Sequence, residues 1–432
     1  MKRNVYKSLE SWSRRAKRKP LLLRGARQVG KTWLVRELGK TFENFVEYNL
    51  ESQPETHEFF KKKFGDPATL IKFLEADSGQ MIRPGRTLLF LDEIQECPEA
   101  ILSLRYFKEK MPELHVVAAG SLIEFAMREL SFPVGRIESQ YVFPLSFLEY
   151  LSALGQDALI DLLDGRSMLP ETLHGRMIEE LRTYMLIGGL PEVVETYSLK
   201  RDLHETQRVL QQLATNFRSD FAKYSKSSQL SHLRKVFDQA PAQLGKKLVY
   251  ANISHEIRSR ELSEAVDLLH LAGIVTKCHH TSGNGVPLSA EITEKKFKLF
   301  FVDIGLACRV LGLRLNKELI LRPEDIINRG GLAEQFVAQE LLATTSSDET
   351  PELFYWHREE RAAQAKVDFL IEKDNQVVPV EVKSGSSAKS KSLKLFMSEK
   401  NGPQGYRLSL ENKISPENSV IIHLPLYLAS FI

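Results

Sequence analysis

The chain has 432 residues, 43 % of them apolar and 27 % charged, the composition of an ordinary soluble protein with material for roughly two to four domains. Its net charge of +3 is too small to imply a nucleic-acid partner, so any such argument must rest on local basic patches. Three scattered cysteines, Cys97, Cys278 and Cys308, form no C-x-x-C pair, and Leu21 to Leu23 is too short an apolar run for a signal or membrane segment, so a cytoplasmic protein without a membrane partner is expected.

Residues 1 to about 19 read as an amphipathic basic helix: Val5, Leu9 and Trp12 share a stripe, and Arg14, Arg15, Lys17, Arg18 and Lys19 crowd its end. The short apolar strand Pro20 to Arg24 leads into Gly25-Ala26-Arg27-Gln28-Val29-Gly30-Lys31-Thr32, and Trp33 to Leu38 has helical spacing. This is the G-x-x-x-x-G-K-[ST] phosphate loop in the strand-to-helix context it requires. Its glycines let successive N–H groups and the helix N-terminus face the phosphates of ATP, Lys31 reaches the β- and γ-phosphates, and Thr32 offers its hydroxyl to Mg2+. A plain glycine-rich turn is the alternative, and the full match in context argues against it.

Asn44 to Leu50 alternates as a second strand, and Arg86 to Leu91 contains an apolar run of the kind buried in a parallel sheet. It ends in Asp92-Glu93. There Asp92 is placed to hold magnesium through water, and Glu93 to polarise the water that attacks the γ-phosphate. His115 to Ala119 is another buried strand, followed by Gly120-Ser121. Ser121 is a candidate sensor that hydrogen-bonds the γ-phosphate or the attacking water, a role compatible with capping the helix Leu122 to Glu129. Beyond Pro133-Val134-Gly135-Arg136 come the strand Tyr141 to Phe143 and the segment Pro144 to Leu151. The order of elements matches an ASCE-type P-loop core with an extra strand between the two nucleotide motifs, so five parallel strands are expected.

The succession GARQVGKT, LLFLDEIQ, AAGSLIEF, VGRIES and FPLSFLEYL, followed by Ile187-Gly188-Gly189-Leu190-Pro191-Glu192-Val193-Val194 and by Lys298-Leu299-Phe300-Phe301-Val302-Asp303-Ile304-Gly305-Leu306, resembles a family of prokaryotic AAA-type ATPases. The resemblance spans almost the whole chain. It implies an ATPase core, a winged-helix region and a C-terminal restriction-endonuclease-like, or PD-(D/E)xK, domain. By mechanism, Arg136 is a candidate for the guanidinium that neutralises charge during phosphoryl transfer, from this subunit or from a neighbour in a homo-oligomer. A structural salt bridge is the alternative, and Arg105 and Arg128 compete for the task.

Residues 156 to 226 are rich in helical spacing, with Leu159, Leu162 and Leu163 and then Ile178, Leu181 and Met185, and read as a helical lid and connector. Gly188-Gly189 before Pro191 marks a break between two helices. Phe217 to Tyr224 mixes charges with aromatics, either as a helix packed on its aromatic face or as a contact to a protein partner. From 227 to 315 the pattern becomes short helices and then a hairpin. Leu262, Val266 and Leu269 share a face stopped by Gly273, and Ile274 to Cys278 and Phe297 to Phe301 flank the loop Ser282 to Gly285. This suggests a winged helix, as the resemblance also implies, with Arg258 and Arg260 at the start of the recognition helix to contact DNA. Packing or protein docking is the alternative.

The last segment carries the helix Leu332 to Leu342 with Glu334, a polar loop at Thr344 to Thr350, and two alternating strands, Lys366 to Glu372 and Val377 to Lys383. Val378, Val380 and Val382 fall on one face, Glu381 and Lys383 on the other. A tight turn centred on Asp374-Asn375 puts Asp368 opposite Glu381 with Cβ atoms roughly 5 Å apart, which like charges disfavour unless a cation lies between them. This D…E-x-K pattern is the signature of the restriction-endonuclease-like fold, with Asp368 and Glu381 as Mg2+ ligands, Lys383 to orient or activate water, and Glu334 to complete the acidic set. The alternative is a salt-bridged hairpin in which Lys383 neutralises Glu381, and such a fold can also keep these residues as a binding platform. Pro379 removes a ladder donor, which implies an edge strand or a bulge. Lys389, Lys391 and Lys394 are candidate phosphate contacts, or a soluble loop and helix face.

The expected architecture is α/β and multidomain: a P-loop AAA-type core with a parallel sheet (1–155), a helical lid (156–226), a winged helix (227–315) and an α/β nuclease-like domain (316–432). The expected function is a DNA-associated ATPase whose nucleotide state controls DNA engagement, with Mg2+-dependent cleavage left open. The rivals are an ATP-driven switch or protein-remodelling factor whose C-terminal modules bind without cutting, and a nucleotide-gated scaffold with slow turnover.

Overall fold

The computed structural model describes residues 1–129, 135–164, 167–223, 225–313, 330–358, 365–383, 390–400 and 402–432. Its first sheet contains β1 (Leu21–Arg24), β2 (Asn44–Asn49), β3 (Thr87–Asp92), β4 (His115–Ala119) and β5 (Glu138–Tyr141) in the order β2-β3-β4-β1-β5, with every pairing parallel. The five parallel strands read from the sequence are found here. One is displaced: β5 lies before the expected Tyr141 to Phe143, because an edge strand paired to β1 needs no apolar run, and Glu138-Ser139-Gln140 serve. Val142 N still donates to Arg24 O at 2.8 Å before the chain turns away.

Six helices accompany this sheet among the described residues: α1 (Asn4–Arg14), α2 (Lys31–Gly39), α3 (His57–Lys63), α4 (Pro67–Ser78), α5 (Pro98–Lys110) and α6 (Ile123–Glu129). Every residue of the central strands β3 and β4 is buried, and alternation splits them between two faces. Leu22, Leu89, Leu91 and Val116 pack with Phe60, Leu70 and Leu104 of α3 to α5. Leu21, Leu23, Leu88, Phe90 and Val117 pack with Leu9 and Trp12 of α1 and with Leu34 and Leu38 of α2. Helix α1 is shorter than its charge pattern suggests. Trp12 Nε1 reaches back to Lys19 O at 2.8 Å, so the basic end folds onto the core instead of continuing the helix.

A helical connector follows, α7 (Phe147–Ala153), α8 (Asp157–Asp164), α9 (Glu171–Ile187), α10 (Pro191–Lys200) and α11 (Leu203–Asp220), and then α12 (Leu230–Gln239) and α13 (Ser259–Leu271). Ser146 and Glu149 form a reciprocal capping box at the start of α7, and Asp202 caps α11. The second sheet is mixed and contains β6 (Val275–Thr281), β7 (Ile292–Phe301), β8 (Leu353–Arg358), β9 (Ala365–Lys373), β10 (Gln376–Val382), β11 (Gly405–Ser409) and β12 (Ile421–Pro425). Its order is β12-β11-β10-β9-β8-β6-β7. The hairpin β6-β7 is part of this layer because β6 runs parallel to β8, with Cys278 beside Leu353. The division expected at 315/316 therefore falls between strands of one sheet, a pairing across some seventy residues that periodicity does not reveal.

The turn at Asp374 and Asn375, with φ of +50° and +60°, sets the register that pairs Val380 with Phe369, and continuing it places Glu381 opposite Asp368. Pro379 lies neither on an edge strand nor at a bulge. It pairs with Leu370 inside a regular ladder, and is tolerated because the parallel ladder from β10 to β11 begins only at Val380.

Helices α14 (Ile304–Val310), α15 (Gly330–Thr344) and α16 (Lys391–Lys400) complete the described elements. Helix α15 buries polar side chains that clamp distant backbone. Gln335 both accepts from Phe301 N (2.7 Å) and donates to Phe301 O (2.9 Å). Gln339 accepts from Ile304 N at 2.9 Å and donates to Tyr184 OH at 2.8 Å, while Glu340 accepts from Phe147 N at 2.8 Å. Beside it, buried Asp303 accepts from Gly189 N at 2.6 Å and Leu306 N at 2.8 Å. Gly188 is required at this joint: its φ is +78°, and a Cβ would lie 2.0 Å from Asp303 Oδ1. The Gly188-Gly189 and Asp303 motifs thus meet as a structural joint between connector and second sheet. No helix among the described residues is long and apolar enough to cross a membrane.

Burial pushes the Glu340 carboxyl up to about 8, with the Glu149 charge adding to it against the pull of the Phe147 N–H. The folded chain then binds this proton more tightly than the unfolded one, so the residue draws stability down as pH rises from about 4.5 to about 8. Replacing Glu340 by Gln keeps an acceptor and removes the titration. Thermal unfolding should show the Glu340→Gln variant gaining on the parent between those pH values, by up to about 1 kcal/mol per pH unit. A stability difference that does not change with pH contradicts this account.

Candidate functional site

The strand β1 delivers the chain to the phosphate loop at the C-terminal edge of the first sheet, between β4 and β5. At Gly25 φ is +138° and a Cβ would lie 2.2 Å from Val142 O, so the close approach of the next segment demands glycine. Gly30, the N-cap of α2, has φ +94°, and Gln28 takes +65°. This bend wraps the loop around the start of α2, whose first N–H groups lack partners within the helix and face any anion held there. Lys31 is buried, its Nζ donating to Gly25 O (2.9 Å) and Ala26 O (2.7 Å). Burial lowers its pKa to about 8 against the pull of Glu93 and Asp92.

Asp92 ends β3 at the same edge. Its Oδ2 accepts from Thr32 Oγ1 at 2.9 Å and its Oδ1 from Glu93 N at 3.0 Å, while burial raises its pKa. The hydroxyl and carboxylate expected to serve magnesium are therefore already in contact. Glu93 has φ +48°, and its Oε2 accepts from Gln95 Nε2 at 2.7 Å, which fixes its direction. Ser121 follows β4 and is buried. Its Oγ, Gln28 Oε1 and Gln95 Oε1 have no hydrogen-bond partner among the described residues. The Ser121 hydroxyl can donate to a phosphate oxygen, and the two amide oxygens can accept from a water bound beside it. The site residues fit ATP with Mg2+.

Three remote segments hold the loop. Arg3, buried at the start of α1, donates to Val29 O (3.0 Å) and Phe143 O (2.7 Å) and pairs with Glu149 at 3.3 Å. Arg27 donates to Asp220 Oδ1 at 2.6 Å and to Glu51 Oε2 at 2.8 Å, and lies 3.9 Å from Glu93 Oε1. Burial works against the Arg27 charge, but the hydrogen bond to Asp220 and the charges of Asp220, Glu93 and Glu51 more than offset it, so its pKa is raised. Gly273 presses on Ala26 from the turn after α13: a Cβ there would lie 3.2 Å from Ala26 N. The sequence gives no sign of Arg3 or Asp220, since an arginine in a basic terminus and an aspartate at a helix end look like solvated charges. Phe217 and Phe221 around Asp220 are buried.

Arg136 is not brought to this site. It precedes β5 at the opposite, N-terminal edge of the sheet and pairs with Glu109 at 3.1 Å, half exposed, as does Arg105 at 3.0 Å. A residue that precedes a strand of an all-parallel sheet falls at the edge away from the phosphate loop of its own chain. The side chain of Arg128 lies outside the described residues.

The second cluster surrounds the β9-β10 hairpin. Glu334 on α15 accepts from Lys366 Nζ and from Lys298 Nζ, each at 2.9 Å. Asp368 Oδ1 is 3.0 Å from Lys366 Nζ, and its Oδ2 accepts from Val382 N at 2.9 Å. Glu381 Oε1 is 3.0 Å from Lys383 Nζ, and its buried Oε2 has no hydrogen-bond partner among the described residues. Burial raises Glu334, helped by the Asp368 charge. Burial opposes the Asp368 charge as well, but Lys366 and Lys298 more than offset it and hold that carboxyl low. Two ammonium groups, those of Lys366 and Lys298, thus lie between Glu334 and Asp368. Lys298 comes from β7, is 1 % exposed and also lies over the rings of Tyr355 and Phe369 at 4.9 and 5.7 Å. Among the described residues no group of carboxylates, histidines or cysteines is arranged to hold a metal ion. The set Glu334, Asp368 and Glu381 expected around Mg2+ is thus, as placed here, met by lysines at two of its three carboxylates, Glu334 and Asp368, and by Lys383 at the third.

The candidate DNA contacts are spread over separate elements. Arg258 caps α13 and Arg260 pairs with Glu264 at 3.3 Å, both exposed. Lys391 and Lys394 are exposed on α16, which packs on β9 and β10, and Lys389 lies outside the described residues.

Residues 17–151 match the family model of an AAA domain, and residues 178–317 and 329–428 match two domains of unknown function (DUF8612 and DUF4143). These comparisons support an AAA-type P-loop core in the first third of the chain. No match is found among curated proteins. Among solved structures, the chain is similar to the Walker-type ATPase PABY2304 of Pyrococcus abyssi, at 16 % identity over 71 % of this chain and 94 % of that one, with a TM-score of 0.46. It is also similar to the Aeropyrum pernix ORC1 protein in complex with DNA, at 13 % identity over 78 % and 94 % of the two chains (TM-score 0.29), and to Drosophila ORC bound to DNA, at 14 % over 72 % and 95 % (TM-score 0.29).

The depressed Lys31 pKa makes nucleotide affinity depend on pH with a definite sign. A bound polyphosphate favours the charged ammonium, so binding takes up a proton once the free protein has lost it above about 8. Titration with a fluorescent ADP should give an affinity that is flat below that pH and weakens by up to roughly tenfold per pH unit above it. An affinity unchanged between about pH 7 and 10 contradicts this assignment.

Proposed function

We propose that the chain is an ATP-hydrolysing AAA-type ATPase whose nucleotide state controls how its C-terminal half engages DNA. The observation that carries this is the meeting of Lys31, Thr32, Asp92 and Glu93 at one edge of the first sheet, with Thr32 Oγ1 2.9 Å from Asp92 Oδ2. The loop N–H groups and the start of α2 bind the phosphates, and Lys31 leaves its carbonyl partners for the β- and γ-phosphates. Glu93 takes the proton of the attacking water, and the free hydroxyl of Ser121 orients that water or a γ-phosphate oxygen. Magnesium, when bound through Thr32 and Asp92, supplies charge neutralisation on the phosphates.

The succession α15, β8, β9, β10, α16 and β11, with Asp368 opposite Glu381, supports a nuclease-like fold for the last part of the chain. Exposed Arg258, Arg260, Lys391 and Lys394 supply candidate phosphate contacts. Lys298 and Lys366 within the carboxylate cluster favour a module that binds DNA without cutting it.

Lys31→Ala should abolish nucleotide binding, whereas Glu93→Gln should keep binding and lose turnover by about a hundredfold or more. Unchanged turnover in both variants would remove the assigned site. Incubated with linear, nicked and single-stranded DNA, the parent should show an affinity that shifts with ATP and no Mg2+-dependent cleavage. Cleavage that Lys383→Ala eliminates would instead establish the cluster as a nuclease centre.

A further inference from the structure

Phosphoryl transfer needs a fixed positive group for the charge that develops between the γ-phosphate and its leaving oxygen. Arg136 and Arg105 are spent on Glu109 at the far edge of the sheet. Arg3 also reaches the loop but is bound to the Val29 and Phe143 carbonyls and to Glu149, whereas a second guanidinium, that of Arg27, belongs to the loop itself. Arg27 is its third residue, and its Nη2 is 3.9 Å from Oε1 of Glu93, the carboxylate assigned above to the attacking water. Arg27 thus joins the loop assigned to the phosphates to the carboxylate assigned to the water.

Three carboxylates among the described residues compete for this guanidinium: Asp220 at 2.6 Å, Glu51 at 2.8 Å and Glu93 at 3.9 Å. Asp220 is the last residue of α11, far from the loop in sequence, and its partners include Lys223 at 3.9 Å. Glu51 is itself paired with Lys223, so it has a second cation to fall back on if Arg27 leaves.

Resting on the ATPase reading above, we propose that Arg27 is a catalytic residue that stabilises phosphoryl transfer from within the same chain, exchanging Asp220 for the γ-phosphate when ATP binds. In the step, a water oxygen forms the new bond to the γ-phosphorus as its proton passes to Glu93. The bond from the γ-phosphorus to the bridging oxygen breaks, and that oxygen leaves with its electron pair on ADP. Arg27 donates hydrogen bonds throughout and neither gains nor loses a proton. The exchange also couples the site to α11, whose end is tied to the loop through Arg27 and is released from it as Arg27 turns to the γ-phosphate.

The test is steady-state ATP turnover and fluorescent ADP binding on the full chain, for Arg27→Ala, Arg27→Lys, Asp220→Asn, Lys31→Ala and Glu93→Gln. Arg27→Ala should lower kcat by about a hundredfold or more while ADP affinity changes by less than about threefold, because ADP lacks the group Arg27 meets. Arg27→Lys should recover part of kcat. Asp220→Asn, which frees the guanidinium and removes a charge that repels phosphate, should lower KM for ATP by about threefold or more. The proposal is overturned if Arg27→Ala keeps kcat within about threefold of the parent, or loses ADP affinity in step with kcat as a misfolded loop would. If turnover falls in the Lys31 and Glu93 variants but persists in Arg27→Ala, only the role of Arg27 fails. A parent without turnover overturns both readings.

Discussion

The phosphate loop holds a backbone shape that its own residues do not secure. Gly25, Gln28 and Gly30 all sit at positive φ, and a loop so bent keeps its N–H groups convergent only if something outside it fixes the bend. Arg3 supplies one hold through the Val29 carbonyl and Gly273 another by lying against Ala26, while Asp220 ties Arg27 through a contact that a bound phosphate can replace. Each comes from a different part of the chain. The nucleotide site is therefore an assembly of the N-terminal helix, the connector and the turn that opens the second sheet, and not a property of the first sheet alone.

The same segments lead onward to the C-terminal half. Arg3 pairs with Glu149, whose capping box starts α7, and the first N–H of α7 is taken by Glu340 of α15. Two turns earlier the same helix places Glu334 between Lys298 and Lys366. One buried helix thus enters the C-terminal cluster directly and is linked to the phosphate loop through α7 and Arg3. Its polar side chains are paired at each point, and in a low-dielectric interior a paired network specifies one arrangement of its partners while a broken one is strongly disfavoured. In the C-terminal cluster the three carboxylates Glu334, Asp368 and Glu381 meet the three ammonium groups of Lys298, Lys366 and Lys383.

Much of this was legible in the sequence because it rests on local chemistry. The phosphate loop, the Asp92-Glu93 strand end and the Asp374-Asn375 turn are short motifs whose spacing fixes their geometry, and the hairpin register follows from the turn alone. What escaped was set by contacts between distant segments. Lys298 could not be paired with Glu334 without knowing that β6 joins β8, and Arg3 looked like any terminal basic residue until its burial showed otherwise. Arg136 lies away from the loop of its own chain for a different reason: a residue that precedes a strand of an all-parallel sheet falls at the N-terminal edge, whereas the phosphate loop follows its strand at the other. Pro379 was judged by its missing donor, whereas the start of the β11 ladder at Val380 decides whether that donor is needed.

The central claim is that a nucleoside triphosphate occupies the loop and displaces the contacts that Lys31 makes without it. A crystal structure of the Glu93→Gln chain grown with ATP and Mg2+ measures this directly. The account predicts β- and γ-phosphates on the N–H groups of residues 28–32, with Lys31 Nζ moved from the Gly25 and Ala26 carbonyls onto the phosphate oxygens. A structure with nucleotide present in which Lys31 keeps both carbonyls, and the triphosphate lies elsewhere or is absent, would contradict it.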